Sequence, residues 1–264
     1  MLILKFGGGK DINLEALAKN AAELQKSSKQ IIIVTGANAK LSEVQQERGI
    51  EPKMITSERG EQSRFTDAAT LELLKEIYGG VADGVAKIIN ENGGEAVSQL
   101  ASKDSIILAK QHGRMRVQDG EKVKVIEGDL TGSIQEVNAA KIEEILESGK
   151  ILVTTPPAAT EDGKEVNVDG DKIAAAIAKE LKADKLIFFA DTPGLLEDVE
   201  NEETLIKEIP VAKADEYAVG RMKKKVLAAK RAIEAGVQEV IFADGRAIKD
   251  PIGKALGGGG TRVF

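Results

Sequence analysis

Two stretches of this chain put cations and small residues where an anion could be held. "GRMKKKVLAAK", residues 220–230, sets three lysines behind Gly-Arg-Met, and "ILKFGGGKDIN", residues 3–13, runs from a strand pattern into three glycines. Consecutive helix residues point about 100° apart, so Lys223, Lys224 and Lys225 cannot all face one phosphate. A lysine run is ordinarily a solvated face. Glycines after a strand let backbone N–H groups approach an anion, and a following helix adds a favourable dipole. The same glycines also read as a tight turn, and their spacing matches neither the P-loop nor the dinucleotide fingerprint.

Other strand ends carry similar potential. Gly36 closes "IIIVTG", Asp191 follows "LIFFA" before a Pro-Gly turn, and Asn167, Asp169 and Asp171 precede an apolar helix pattern. Asp169 or Asp171 could equally be a helix N-cap. Open α/β sheets bind ligands at the carboxyl ends of their strands. Several ligand-competent strand ends plus lysines therefore suggest a site for a phosphorylated nucleotide.

The elements that must position these residues alternate. Strand candidates fall at 2–6, 31–36, 95–100, 151–157, 185–191 and 239–244, with amphipathic helix candidates at 13–27, 68–77, 81–92, 138–148, 171–182 and 221–235. Continuous apolar strands between helices indicate an α/β fold, a mostly parallel sheet covered on both sides. Residues 105–136 differ: "RMRVQDGEKVKVIEGDLTGSIQEV" alternates with period two around "QDGE", the signal of an antiparallel hairpin inserted in the sheet or at its edge. No internal repeat or low-complexity linker divides the chain.

Composition narrows the function. The 264 residues hold 37 Lys+Arg against 43 Asp+Glu, a net charge of −6 that argues against bulk nucleic-acid binding. With no cysteine and one histidine, His112, a thiol nucleophile, a thiolate metal site or a Ser-His-Asp triad is not expected, and His112 reads as surface or structural. No apolar run approaches the roughly 20 residues of a membrane span, and "MLILKFGGGK" lacks the build of a secretory leader, so a cytoplasmic protein is expected.

Six motifs in order then resemble one family: "KFGGG" 5–9, "RFTDAATLE" 64–72, "VNVDGDKIAAAIA" 166–178, "ADTPGLL" 190–196, "GRMKKKV" 220–226 and "GGGGTRV" 257–263. Over nearly its whole length the chain resembles the amino acid kinase superfamily, in its acetylglutamate kinase branch, and most of all the LysW-dependent aminoadipate or glutamate kinases. The resemblance implies a three-layer αβα sandwich in one domain, 1–264, with residues 1–165 serving acceptor and carrier and 166–264 the nucleotide. It implies ATP-dependent phosphorylation of a side-chain carboxylate, with Mg2+ carried by the nucleotide, no resident metal, a small acidic carrier protein as partner, and a homodimer. Lys5 and Lys225 would neutralise the transferring phosphoryl group and Asp171 would orient both. Gly36, Ala37, Arg64 and Asn167 match substrate-binding positions, and Gly7, Gly8, Asp191, Gly194 and Lys225 nucleotide-binding ones. Gly8 and Gly36 would offer N–H groups to phosphate oxygens. N-acetylglutamate kinase and a non-catalytic sensor of amino acids or nucleotides are the alternatives.

The chain also departs from the branch. Thr35-Gly36-Ala37 stands where His-Gly-Gly is usual, and a β-carbon at 37 would crowd a ligand if that residue needed positive φ. Gly7-Gly8-Gly9 replaces Gly-Gly-Ser, and residues 98–105 lack the glycine-rich Ser-Gly-x-Asp pattern. One further expectation comes from charge alone. In this acidic chain, residues 110–126 hold Lys110, Arg114, Arg116, Lys122 and Lys124 against Asp119 and Glu121. An edge ribbon uses lysines to discourage aggregation. The alternative is a positive patch of Arg114, Arg116, Lys122 and Lys124 that docks the acidic carrier.

Overall fold

The computed structural model describes residues 1–27, 29–57, 62–120 and 122–264; Glu121 of the "QDGE" turn lies outside the described residues. Among the described residues eight strands form the main sheet. Their order is Glu208–Ile209, Thr261–Val263, Glu239–Asp244, Lys185–Ala190, Leu2–Phe6, Ile31–Thr35, Ile151–Thr155, Ala96–Leu100. Neighbours run parallel except Glu239–Asp244 with Thr261–Val263.

Successive strand residues face opposite sides, and this chain uses both. Ile3, Ile32 and Phe188 pack with Ile173 and Ile177 of the helix Gly170–Glu180 and with Val226 and Ala229 of the helix Met222–Glu234. Leu4, Ile33 and Phe189 pack on the other side with Leu17 and Ala21 of Leu14–Gln25 and Val85 and Ile89 of Ala68–Glu91. Helices therefore cover both faces of a central, mostly parallel sheet, the three-layer α/β arrangement expected.

Two expectations are corrected. The helices placed at 68–77 and 81–92 are one helix, Ala68–Glu91. Gly79 and Gly80 do not break it, because Leu71, Leu74, Tyr78, Ala82, Val85 and Ile89 keep one buried stripe running through. The hairpin Met115–Asp119 with Lys122–Ile126 forms, but neither in the main sheet nor at its edge. It joins Met54–Ser57 and Gln62–Arg64 in a separate four-stranded sheet, while Gly132–Val137 pairs with Ile107–Gln111 in another.

Candidate active site

Three charged side chains meet under the carboxyl end of the central strand. Alternation that turns Ile3 toward the helix Gly170–Glu180 also turns Lys5 that way, into a place only 4% exposed. There Lys5 Nζ lies 3.4 Å from Asp171 Oδ1 and donates to the Phe6 carbonyl at 2.9 Å. Lys225 Nζ reaches the other carboxylate oxygen, Oδ2, at 2.8 Å. A β-carbon at Gly170 would stand 3.1 Å from Lys5 Cε, so a glycine there gives the lysine its room. Asp169 takes the N-cap role, accepting from the Asp171 and Lys172 N–H groups at 2.8 and 3.3 Å, which leaves the Asp171 carboxylate to the lysines.

The electrostatics follow from burial and pairing. Desolvation pushes the Lys5 ammonium below the ordinary lysine value, against the pull of Asp171. Burial acts to raise the Asp171 carboxyl, but Lys225 and Lys5 outweigh it and hold the group below the ordinary aspartate value. The result is a buried carboxylate shared by two cations, a device for fixing two positive charges at one point. Lys223 and Lys224 are exposed.

The glycine loops close around this point. A β-carbon on Gly8 would come within 2.7 Å of the Ala37 and Asn38 nitrogens, and one on Gly36 would come 3.0 Å from the Gly8 nitrogen. The Gly7 N–H donates to Phe189 and the Gly36 N–H to Phe6, each at 3.0 Å. Gly36 therefore offers the site space and not the N–H group expected of it, while the Gly8 N–H has no acceptor among the described residues. Ala37 has φ −141°, so its β-carbon costs nothing, and its side chain packs with Leu41, Leu74 and Tyr78. The crowding expected at this departure does not arise.

Arg64 and Asn167 stand on either side of Thr66. Asn167 Nδ2 donates to the Thr66 hydroxyl at 3.4 Å, and that hydroxyl donates to the Arg64 carbonyl at 3.4 Å. Arg64 Nη2 donates to Ser42 at 3.1 Å, while its Nη1 is buried without a hydrogen-bond partner among the described residues. Desolvation lowers this guanidinium's pKa, and among the described residues no carboxylate acts on it. A half-buried cation with an open, buried donor is suited to an incoming carboxylate.

Asp191 borders the loop from the next strand. Its Oδ2 would lie 3.2 Å from a β-carbon on Gly9 and accepts from Arg221 Nη2 at 2.9 Å. Gly194 lies where a β-carbon would meet Thr261 Oγ1 at 2.4 Å, so its small size packs the turn on the C-terminal strand. His112 is structural: it hydrogen-bonds the Thr131 and Ser133 hydroxyls at 3.1 and 2.6 Å, and burial with nearby Lys172 lowers its pKa. Sequence reasoning passed over Arg221 and Gly170. The four-residue step from Arg221 to Lys225, one helical turn, was the signal available for the first.

The hairpin stands apart from this cluster, and its register divides the expected patch. Residues directly opposite in an antiparallel pair share a face. Arg116 opposes Val125 and Gln118 opposes Val123, whereas Lys124 opposes Val117. Arg116 thus lies on one face with Val123 and Val125, and Lys122 and Lys124 on the other, while Arg114 stands just before the strand, paired with Glu127. Val117 is buried with Ile55 and Phe65, so the lysine face is turned to the sheet's own small core. On the arginine face Val123 and Val125 are 46% and 57% exposed.

The chain is similar to known proteins. Residues 1–244 match the profile described as the amino acid kinase family. The whole chain is 36% identical to the whole of a protein of Thermus thermophilus named LysW-aminoadipate kinase. It is 39% identical to one of Deinococcus radiodurans with the same name, covering all of this chain and 91% of that one. Among solved structures, N-acetylglutamate synthase from Neisseria gonorrhoeae complexed with coenzyme A and N-acetyl-glutamate superposes with a TM-score of 0.80 at 23% identity. That match spans 99% of this chain and 58% of the synthase, a likeness of fold.

Proposed function

The chain belongs to the amino acid kinase family, and from that premise we propose that it transfers the terminal phosphoryl group of ATP to the side-chain carboxylate of a carrier-linked amino acid. The acceptor class is aminoadipate or glutamate whose amino group is held by a small acidic carrier of the LysW type; both relatives are named for LysW-aminoadipate. The observation that carries the reading is the buried Asp171 carboxylate bridging Lys5 and Lys225.

The chemistry suits a chain with no cysteine and one histidine. A carboxylate is already a nucleophile at neutral pH, so no general base is needed. Its oxygen attacks the γ-phosphorus as the bond to the ADP oxygen breaks, and negative charge accumulates on the oxygens in flight. Two fixed ammonium groups and the Gly8 N–H are placed to meet that charge, with no reorganisation at the moment of reaction. Magnesium arrives with the nucleotide as part of the substrate. Arg64 and Asn167 hold the acceptor from residues 1–165 and from the segment just beyond, while Asp191, Gly194 and Lys225 face the nucleotide from 166–264. A cytoplasmic homodimer completes the proposal.

The carrier reading draws on the hairpin. Its sheet also contains Arg64, two strands from Met115–Asp119, roughly 10 Å at ordinary strand spacing. A carrier seated on the arginine face would therefore present its tether close to the acceptor anchor.

The test incubates the protein with ATP, hydroxylamine and carrier-linked aminoadipate, carrier-linked glutamate or free N-acetylglutamate. Hydroxamate formed on a carrier-linked acid, with little from N-acetylglutamate, is expected. Equal or better trapping with N-acetylglutamate would make this an acetylglutamate kinase. Nucleotide binding without turnover on any acceptor would make it a sensor.

A further inference from the structure

We propose that Arg221 is a third phosphate-binding cation of this site, gripping the terminal phosphates of the nucleotide in place of Asp191. The inference rests on the nucleotide reading above and adds a residue to it. Arg221 is the N-cap of the helix Met222–Glu234, four residues before Lys225. Positions i and i+4 share a helix face about 6 Å apart, so Arg221 and Lys225 project the same way. Each meets a carboxylate there: Lys225 meets Asp171 at 2.8 Å, and Arg221 meets Asp191 at 2.9 Å. Asp191 in turn stands beside Gly9, the third residue of the glycine loop, at the carboxyl end of Lys185–Ala190.

The two pairs differ in commitment. Asp171 is buried between its lysines, whereas the Arg221 and Asp191 side chains are 73% and 37% exposed. An ion pair so exposed contributes little to stability. The arginine is also lightly held. Arg246 is held by both Asp244 and Glu202, and Arg48 makes two bonds to Glu76. Arg221 makes one hydrogen bond, through a single Nη, among the described residues. Its planar fork matches a phosphate bidentately, and a polyphosphate carries more charge than the carboxylate it would replace. A β-carbon on Gly9 would stand 3.2 Å from Asp191 Oδ2, so the glycine lets the loop lie this close to the pair.

The experiment measures dissociation constants of ATP, ADP and AMP for wild type, Arg221→Gln and Asp191→Asn by calorimetry. Loss of one charged, bidentate contact predicts that Arg221→Gln weakens ATP by about tenfold or more while AMP is held as before. Asp191→Asn frees the arginine and removes a negative charge, so ATP binding tightens. The inference is overturned if Arg221→Gln binds ATP like wild type, if it loses ATP and AMP equally, or if Asp191→Asn weakens ATP. A wild-type protein that binds ATP while Arg221→Gln is unchanged sinks this inference alone. A wild type that binds no adenine nucleotide overturns the proposed function together with it.

Discussion

The cluster of Lys5, Asp171 and Lys225 and the hairpin Met115–Ile126 use positive charge in opposite ways. In the cluster, cations are removed from water and locked on one carboxylate, so each side chain has one place to be. On the hairpin, Arg114, Arg116, Lys122 and Lys124 are exposed, and their effect on a partner is long-range and screened by salt. Burial makes charge specific and costly. Exposure makes it cheap and additive. Substitutions in the first region should therefore alter chemistry or folding abruptly, and those in the second should alter association by modest factors.

The sharpest break in the comparison is Lys225→Ala. It removes a fixed charge from the transferring phosphoryl group, and turnover should fall by about 10²–10³-fold, the scale of losing one preorganised donor. Lys224→Ala, on the exposed side of the same helix, should change turnover less than about twofold. Steady-state kinetics with saturating ATP and acceptor separates the two. Equal losses would mean that the helix presents a different lysine.

Asp171→Asn tests the same cluster through stability. Removing one member of a buried charge network leaves the others uncompensated, a cost of about 3 kcal/mol or more. The sign with pH follows from the depressed carboxyl. Asp171 lies below the ordinary value when folded, so its stabilisation is fully present above the unfolded value near 4 and is lost as pH falls through the folded one. The melting-temperature gap between wild type and Asp171→Asn should be widest near pH 6 and should narrow in acid. A gap that is constant or widens toward pH 3 would show that the lysines do not hold the carboxylate.

The cluster was far more legible in the sequence than the hairpin face, for a physical reason. Strands such as Ile31–Thr35 are continuous apolar runs, and the alternation of Ile3 and Lys5 already places the lysine on one side of the sheet. The motif resemblance then brought Asp171 and Lys225 to it. The short strands Met54–Ser57, Gln62–Arg64 and Ala158–Ala159 carry too few residues to show a period, so the two small sheets were not foreseen. The hairpin's alternation was visible, but which faces coincide depends on turn length. Asp119 pairs with Lys122, so even positions of the first strand face odd positions of the second. That parity separates Arg116 from the lysines, and each strand's alternation read alone does not reveal it. Gly36 shows the complementary failure: the residue type was right for a close approach, but its N–H was already taken by Phe6.

Arg64→Lys should act between these extremes. It keeps one charge but loses the fork whose Nη1 is buried and, among the described residues, unpartnered. The KM for the carboxylate acceptor should rise by about tenfold, with kcat and the KM for ATP changed less than about threefold. If Arg64 merely braces Ser42, the variant would melt earlier and show no selective change in acceptor KM.

The smallest expected effect decides which hairpin face meets the carrier. The arginine face combines Arg116, and Arg114 just before its strand, with exposed Val123 and Val125, while the lysine face carries Val117 against Ile55 and Phe65. An acidic partner with any apolar surface should favour the first. Part of its charge is already offset, because Arg114 pairs with Glu127 at 2.6 Å. Reversing Arg114 and Arg116 to Glu should then raise the KM for carrier-linked substrate by roughly three- to tenfold at low salt, since exposed pairs are worth about 1 kcal/mol or less each. Reversing Lys122 and Lys124 should do less, and neither pair should alter ATP affinity. Raising salt to physiological strength should shrink the difference between wild type and the arginine variant, because both charges act through solvent. Equal effects from the two pairs would make the hairpin a general electrostatic lure without a docking face. No effect from either, at low salt and with saturating ATP, would leave the ribbon an edge kept soluble by its charges and would move the carrier to another surface.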